Sequence, residues 1–144
     1  MSTMNIMPNS LLIDLIALTK PRVNFLIIFT AIVGMLLAQD YTLDYSLMIY
    51  ASIGIYLAAS AAAVINHVVD QKIDAIMDRT KSRPLIKGKI KTEHAIYFAF
   101  FISVISTYIL FSFVNLITTL LTLFSIIVYS IIYSVYLKNL TSQN

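Results

Sequence analysis

Ala95–Leu137 reads AIYFAFFISVISTYILFSFVNLITTLLTLFSIIVYSIIYSVYL, forty-three residues without one formal charge. About twenty apolar residues cross the hydrocarbon core of a bilayer as a helix. The run is therefore two spans joined by a tight hairpin, and the turn is placed near Phe113–Asn115 because Asn115 is its most polar residue. The whole chain agrees: 59% of its 144 residues are hydrophobic and 12% are charged. Mean hydropathy is +0.85. A soluble domain carries roughly a quarter charged residues. The predicted fold class is all-α, a polytopic transmembrane helical bundle.

Two further apolar segments precede this run. Val23–Ala38 is uncharged, and Tyr45–Val69 contains Ala58–Ala63 (AASAAA), small residues that let helices approach closely in lipid. The predicted spans are about 23–39, 45–69, 95–113 and 115–137. Residues 1–22 form an N-terminal tail with a short interfacial helix at Leu11–Leu18, which is too brief to span. Lys20 and Arg22 ahead of an apolar run raise the question of a signal peptide. Leu36, standing where a cleavage site after Ala38 wants a small residue, and the later spans favour a transmembrane helix.

Charge is concentrated between the second and third spans, in the polar loop 70–94. Asn66, Asp70, Asp74 and Asp78 recur every fourth residue, one slowly drifting stripe on a helix of about 3.6 residues per turn. Like charges at this spacing repel by about 0.2–0.5 kcal/mol per pair, and carboxylates at a helix C-terminus oppose its dipole. The stripe calls for a cation. Its all-oxygen donors suit Mg²⁺, which takes one or two protein carboxylates and completes its shell with water and phosphate oxygens. Arg79, Lys81, Arg83 and Lys87 follow, donors suited to phosphate. Competing readings are plain: a wet helix end for the acids, and a topology determinant or anionic-lipid contact for the bases.

The net charge of +3 is a matter of topology rather than of nucleic-acid binding. Lys and Arg fall at 20–22, at 72–91 and at 138, which four spans place on one side of the membrane. The positive-inside rule makes that side cytoplasmic, or the matrix in a mitochondrion. With no cysteine, thiolate metal sites and thiol catalysis are excluded.

Asn66, Asp70 and Asp74, followed by Asp78-Arg79-Thr80 and Arg83-Pro84-Leu85, resemble the first aspartate-rich motif of the intramembrane aromatic prenyltransferases. The Arg-Thr-x-x-Arg-Pro-Leu tail is similar to the protoheme IX farnesyltransferase (heme O synthase) branch. So are Leu18-Thr19-Lys20-Pro21-Arg22, Phe29–Met35, Leu137-Lys138 and Thr141–Asn144. The resemblance runs from about residue 15 to the last residue. It implies farnesyl transfer from farnesyl diphosphate to a vinyl group of protoheme IX, in a fold of about nine helices with two acidic motifs. This sequence holds about four helices and lacks the second motif, so it is expected to be the N-terminal half, and inactive alone.

On that resemblance Asp70 and Asp74 hold Mg²⁺ as the catalytic pair, with Asn66 ligating it or orienting its water. Arg79, Lys81 and Arg83 clamp diphosphate oxygens, and Asp78 and His67 are further candidates. A lone interfacial histidine is more often a packing or hydrogen-bonding residue than a heme ligand. Tyr129, Tyr133 and Tyr136 form a helical stripe that suits packing or an interfacial belt as well as substrate lining. Ser103, Ser106, Thr107, Thr118, Thr119 and Thr122 are expected to join helices. Partners implied are farnesyl diphosphate, protoheme IX and the bilayer of a bacterial inner (or mitochondrial inner) membrane, with no nucleic acid. The alternatives are another aromatic or quinone-pathway prenyltransferase, and a non-catalytic membrane module binding metal or anionic lipid.

Overall fold

The computed structural model describes residues 8–38, 44–78 and 80–130, and all its regular elements are helices. These are α1 (Pro8–Leu18), α2 (Pro21–Ala38), α3 (Tyr45–Val69), α4 (Gln71–Asp74), α5 (Thr92–Phe113) and α6 (Leu116–Ile127). Helices α2, α3 and α5 are long and apolar enough to cross a membrane. The shorter apolar helix α6 begins the expected fourth span, whose residues 131–137 lie outside the described residues. Also outside are Arg79, Tyr133, Tyr136, Lys138, Thr141–Asn144 and most of the connection 39–44.

Large apolar side chains face outward on every long helix, among them Phe25, Leu37, Tyr97 and Phe100. Exposed apolar area on that scale is untenable in water and suits a lipid surroundings. The chain is a multi-pass membrane protein. Hydrocarbon supplies no hydrophobic drive between helices, so close packing and hydrogen bonds hold them together.

The tightest contact joins α3 to α5, and its small residues explain why. Helix α3 buries Ala51, Gly54, Ala58, Ala61 and Ala62, and α5 buries Ala95, Ala99, Ile102, Ser106 and Leu110. A Cβ at Gly54 would stand 2.5 Å from Leu110 Cδ2, so only glycine allows this approach. Ser106 Oγ donates to the Gly54 carbonyl at 2.7 Å across the same contact. The neighbouring hydroxyls behave otherwise. Thr107 and Thr119 return theirs to the carbonyls of Ser103 and Asn115, four residues back on the chain, so their expected role between helices is not the one observed.

Polar residues at the ends set where helices start. Asp44 Oδ1 accepts from Leu47 N at 3.0 Å ahead of α3, and Asn115 Oδ1 accepts from Thr118 N at 2.7 Å ahead of α6. Thr92 is the first residue of α5. Extended Lys91 precedes it, and Thr92 Oγ1 reaches Gln71 Oε1 at 3.1 Å.

The polar segment after α3 folds back rather than hanging free. Leu85 and Ile90 are buried with Leu18, Val64, Ala95 and Ala99 in a small apolar core. Leu11 and Leu15 of α1 pack on it, and Lys89 Nζ lies 3.8 Å from Asp14 Oδ1. Helix α1 thus lies against the end of α3, while its Leu12, Ile13 and Ile16 face outward.

Candidate active site

Helix α3 ends at Val69, yet its direction persists for one more turn. Asp70 is its C-cap in an αR conformation, and α4 follows directly. Asp70 N donates to Asn66 O at 2.9 Å, and Asp74 N to Asp70 O at 2.8 Å. Asn66, Asp70 and Asp74 are therefore stacked turn over turn, and they are buried: 7%, 3% and 5% exposed. Two carboxylates this deep need compensation.

The compensation comes from the segment that folds back. Arg83 Nη1 donates to Asp74 Oδ2 in a short contact. Buried Thr80 donates its hydroxyl to the Asp74 carbonyl at 2.9 Å, which fixes the turn carrying Arg83. His67, also buried, brings Nδ1 to 4.0 Å from Asp74 Oδ2, with no hydrogen-bond partner for that nitrogen among the described residues. Lys20, Arg83, Asp74 and Asp70 all lie within electrostatic reach of the His67 ring.

Asp78 and Lys81 are not part of this group. The chain leaves the helical path after Ala75, and the four-residue stripe read from the sequence stops at Asp74. Asp78 is fully at the surface, where it accepts from Lys81 Nζ at 2.6 Å. Arg79 lies outside the described residues.

Below the acids lies a cavity of about 500 Å³ between α2, α3 and α6. This is the size range of small-molecule sites, roughly 300–1,000 Å³. Its walls are hydrocarbon: Val23, Ile27, Ile55, Leu121 and Ile126 among others, with Lys20 and Asn24 as its polar members on α2 and its approach. Helix α3 contributes Ile55, Ala59, Ala62 and Ala63, and the next positions on that face are Asn66 and Asp70. Ala63, the last α3 residue of the lining, stands seven positions before Asp70, so the cavity and the nearer carboxylate lie about two helix turns apart along one helical strip.

Among the described residues, no three His, Cys, Asp or Glu side chains gather into a metal cage. The pair of carboxylates and the Asn66 amide suit Mg²⁺ in its usual partial form, with one or two protein carboxylates and the remaining positions taken by water and phosphate. All three side chains offer oxygen donors. The donor set fits that ion.

Residues 27–144 match the UbiA prenyltransferase family. The chain belongs to that family. It is 48% identical over 131 residues to a protoheme IX farnesyltransferase of Hahella chejuensis, covering 91% of this chain and 44% of that one. A protoheme IX farnesyltransferase 2 of Pseudoalteromonas atlantica is 47% identical over 131 residues, 91% of this chain and 43% of its own. One from Vesicomyosocius okutanii is 48% identical over 136 residues, 93% and 46% respectively. The chain spans less than half the length of these curated relatives. No solved structure matches it.

Sequence reasoning passed over three residues that the structure puts at the site. Thr80 was hidden in the motif as a spacer between charged residues. Asn24 sits inside an apolar span, where a polar residue is itself a signal; its Nδ2 donates to Thr19 O and to Ser60 Oγ, both at 2.8 Å. Lys20 enters the sequence reading through topology and the Leu18–Arg22 flank, with no role given to its side chain.

Proposed function

We propose that this chain carries the diphosphate-binding part of a protoheme IX farnesyltransferase. Its donor is farnesyl diphosphate, its acceptor a vinyl group of protoheme IX, and its metal Mg²⁺. The observation that carries the reading is the burial of Asp70 and Asp74, with Arg83 on Asp74, in the helical turn that continues the cavity-lining strip of α3. Family membership and relatives bearing that name support the choice of acceptor.

Asn66, Asp70 and Asp74 would hold the ion, which when bound supplies positive charge for the departing diphosphate. Arg83 orients Asp74 through its hydrogen bond, and adds a guanidinium suited to phosphate. The cavity walls take the isoprenoid chain and keep water from it. In the transfer the C–O bond of the farnesyl diphosphate breaks, its electron pair leaving with diphosphate. Farnesyl C1 bonds the terminal vinyl carbon, and water adds its hydroxyl to the other vinyl carbon and releases a proton. His67 Nδ1 stands 4.0 Å from Asp74 Oδ2, and no heme contact is assigned to it. The motif faces the cytoplasm of a bacterial cell, by the distribution of Lys and Arg.

The test is equilibrium binding of labelled farnesyl diphosphate to the chain in lipid nanodiscs with Mg²⁺. One saturable equivalent is expected, lost in Asp70→Asn. A thermal shift of the loaded chain by protoheme IX rather than 4-hydroxybenzoate is expected as well. Undiminished binding by Asp70→Asn would overturn the site, and a shift by the aromatic acid alone would move the acceptor to the quinone pathway.

A further inference from the structure

Lys20 has positive φ (52°), the only non-glycine residue to do so among the described residues. A side chain in this left-handed region is strained, and glycine or asparagine ordinarily takes such a place. The turn between α1 and α2 is otherwise built to be rigid. Lys20 O accepts from Val23 N at 3.0 Å and from Asn24 N at 3.2 Å. Buried Asn24 ties the Thr19 carbonyl to Ser60 of α3. A rigid turn that places a lysine where glycine is favoured holds it there for what its side chain does.

Lys20 lines the cavity between α2, α3 and α6, whose walls are largely hydrocarbon. It also lies within electrostatic reach of His67, in the same neighbourhood as Asp70, Asp74 and Arg83. The cavity therefore has an apolar body and a cationic end on the side of the acidic motif. Such a shape fits an amphiphile: a hydrocarbon chain with a phosphate head. Helix α6 returns from its start at Leu116 toward this end, bringing Tyr129 into the same lining.

We propose that Lys20 is a substrate-binding residue, whose ammonium takes a phosphate oxygen of the molecule lodged in the cavity. Lys20 and Arg83 then approach the phosphate group from different segments, the α1–α2 turn and the stretch after α4. The lysine fixes which end of the isoprenoid chain faces the carboxylates. This rests on the functional reading above, and deepens it by naming a contact from outside the aspartate-rich motif.

Lys20→Gly removes the charge while relieving the left-handed backbone, so its folding is expected to be kept or improved. Lys20→Arg keeps the charge. Each variant and the wild type are titrated, with Mg²⁺ present, in detergent free of phospholipid, with farnesyl diphosphate and with farnesol, and melting is followed in parallel. A charge-assisted hydrogen bond predicts that Lys20→Gly weakens farnesyl diphosphate at least about tenfold, with farnesol unchanged and Lys20→Arg close to wild type. Equal affinity of Lys20→Gly and wild type for farnesyl diphosphate overturns the assignment. So does an equal loss for farnesol, which means the cavity changed shape. The effect vanishing in phospholipid-free detergent and appearing only with anionic lipid assigns the lysine to lipid phosphate and overturns its role in substrate binding. Wild type that binds no farnesyl diphosphate removes the functional reading itself, and the lysine's role with it.

Discussion

Asp74 carries three attachments at once: Arg83 on its carboxylate, His67 Nδ1 4.0 Å from the same oxygen, and the Thr80 hydroxyl on its carbonyl. Asp74→Asn strips the charge that Arg83 answers and leaves a half-buried guanidinium without it. A loss of about 2 kcal/mol in stability is expected, within the range for hydrogen bonds to charged groups. Asp78→Asn touches only an exposed pair with Lys81 and should stay within about 0.5 kcal/mol of wild type. Chemical unfolding in detergent checks both, and equal effects would contradict the division drawn between these two acids. The residues of the motif were legible as oxygen donors every fourth position, because spacing alone puts them on one helix face. That Asp78 departs was not legible. It depends on where the chain leaves the helix, and the segment 75–91 is held by Leu85 and Ile90 in a tertiary core rather than by local propensity.

At the scale of elements, α3 is the common wall: it meets α1, α2, α5 and α6. Gly54 sets the distance to α5, since Leu110 fills the space a Cβ would take and is itself 1% exposed. Gly54→Ala gains helix propensity of about 1 kcal/mol and loses about 1–3 kcal/mol to overpacking. Net destabilisation is expected, and Leu110→Ala should remove it. A double-mutant cycle is expected to give at least about 1 kcal/mol of coupling; additive effects would show that the two residues do not constrain one another. Helices were legible here because apolar runs of spanning length have few other solutions in lipid. Small residues announced close packing on α3, but not which helix would approach. The partner is decided by Ala95, Ala99 and Ser106, whose pattern lies some forty residues away.

For the molecule as a whole, all-α membrane architecture was read from composition, and the family was carried by the motif with its flanks. The cavity was not visible in the sequence, because Ile27, Ile55 and Ile126 look like any span residues until three helices bring them together. Sidedness is open to direct test, since the chain has no native cysteine. Ser82→Cys, in the polar segment, and Ser112→Cys, at the far end of α5, are both at exposed positions. A membrane-impermeant maleimide is expected to reach Ser82→Cys from the cytoplasmic side only and Ser112→Cys from the other; labelling of both from one side would contradict the arrangement. The central claim is that the stacked acids just beyond α3, Asp70 and Asp74, hold a divalent cation against an isoprenoid diphosphate. The most direct measurement is the dissociation constant of farnesyl diphosphate for the nanodisc-embedded chain, in millimolar Mg²⁺ and in EDTA. The account predicts at least about tenfold tighter binding with Mg²⁺, a difference abolished in Asp70→Asn; the same constant in both buffers for the wild type would contradict it.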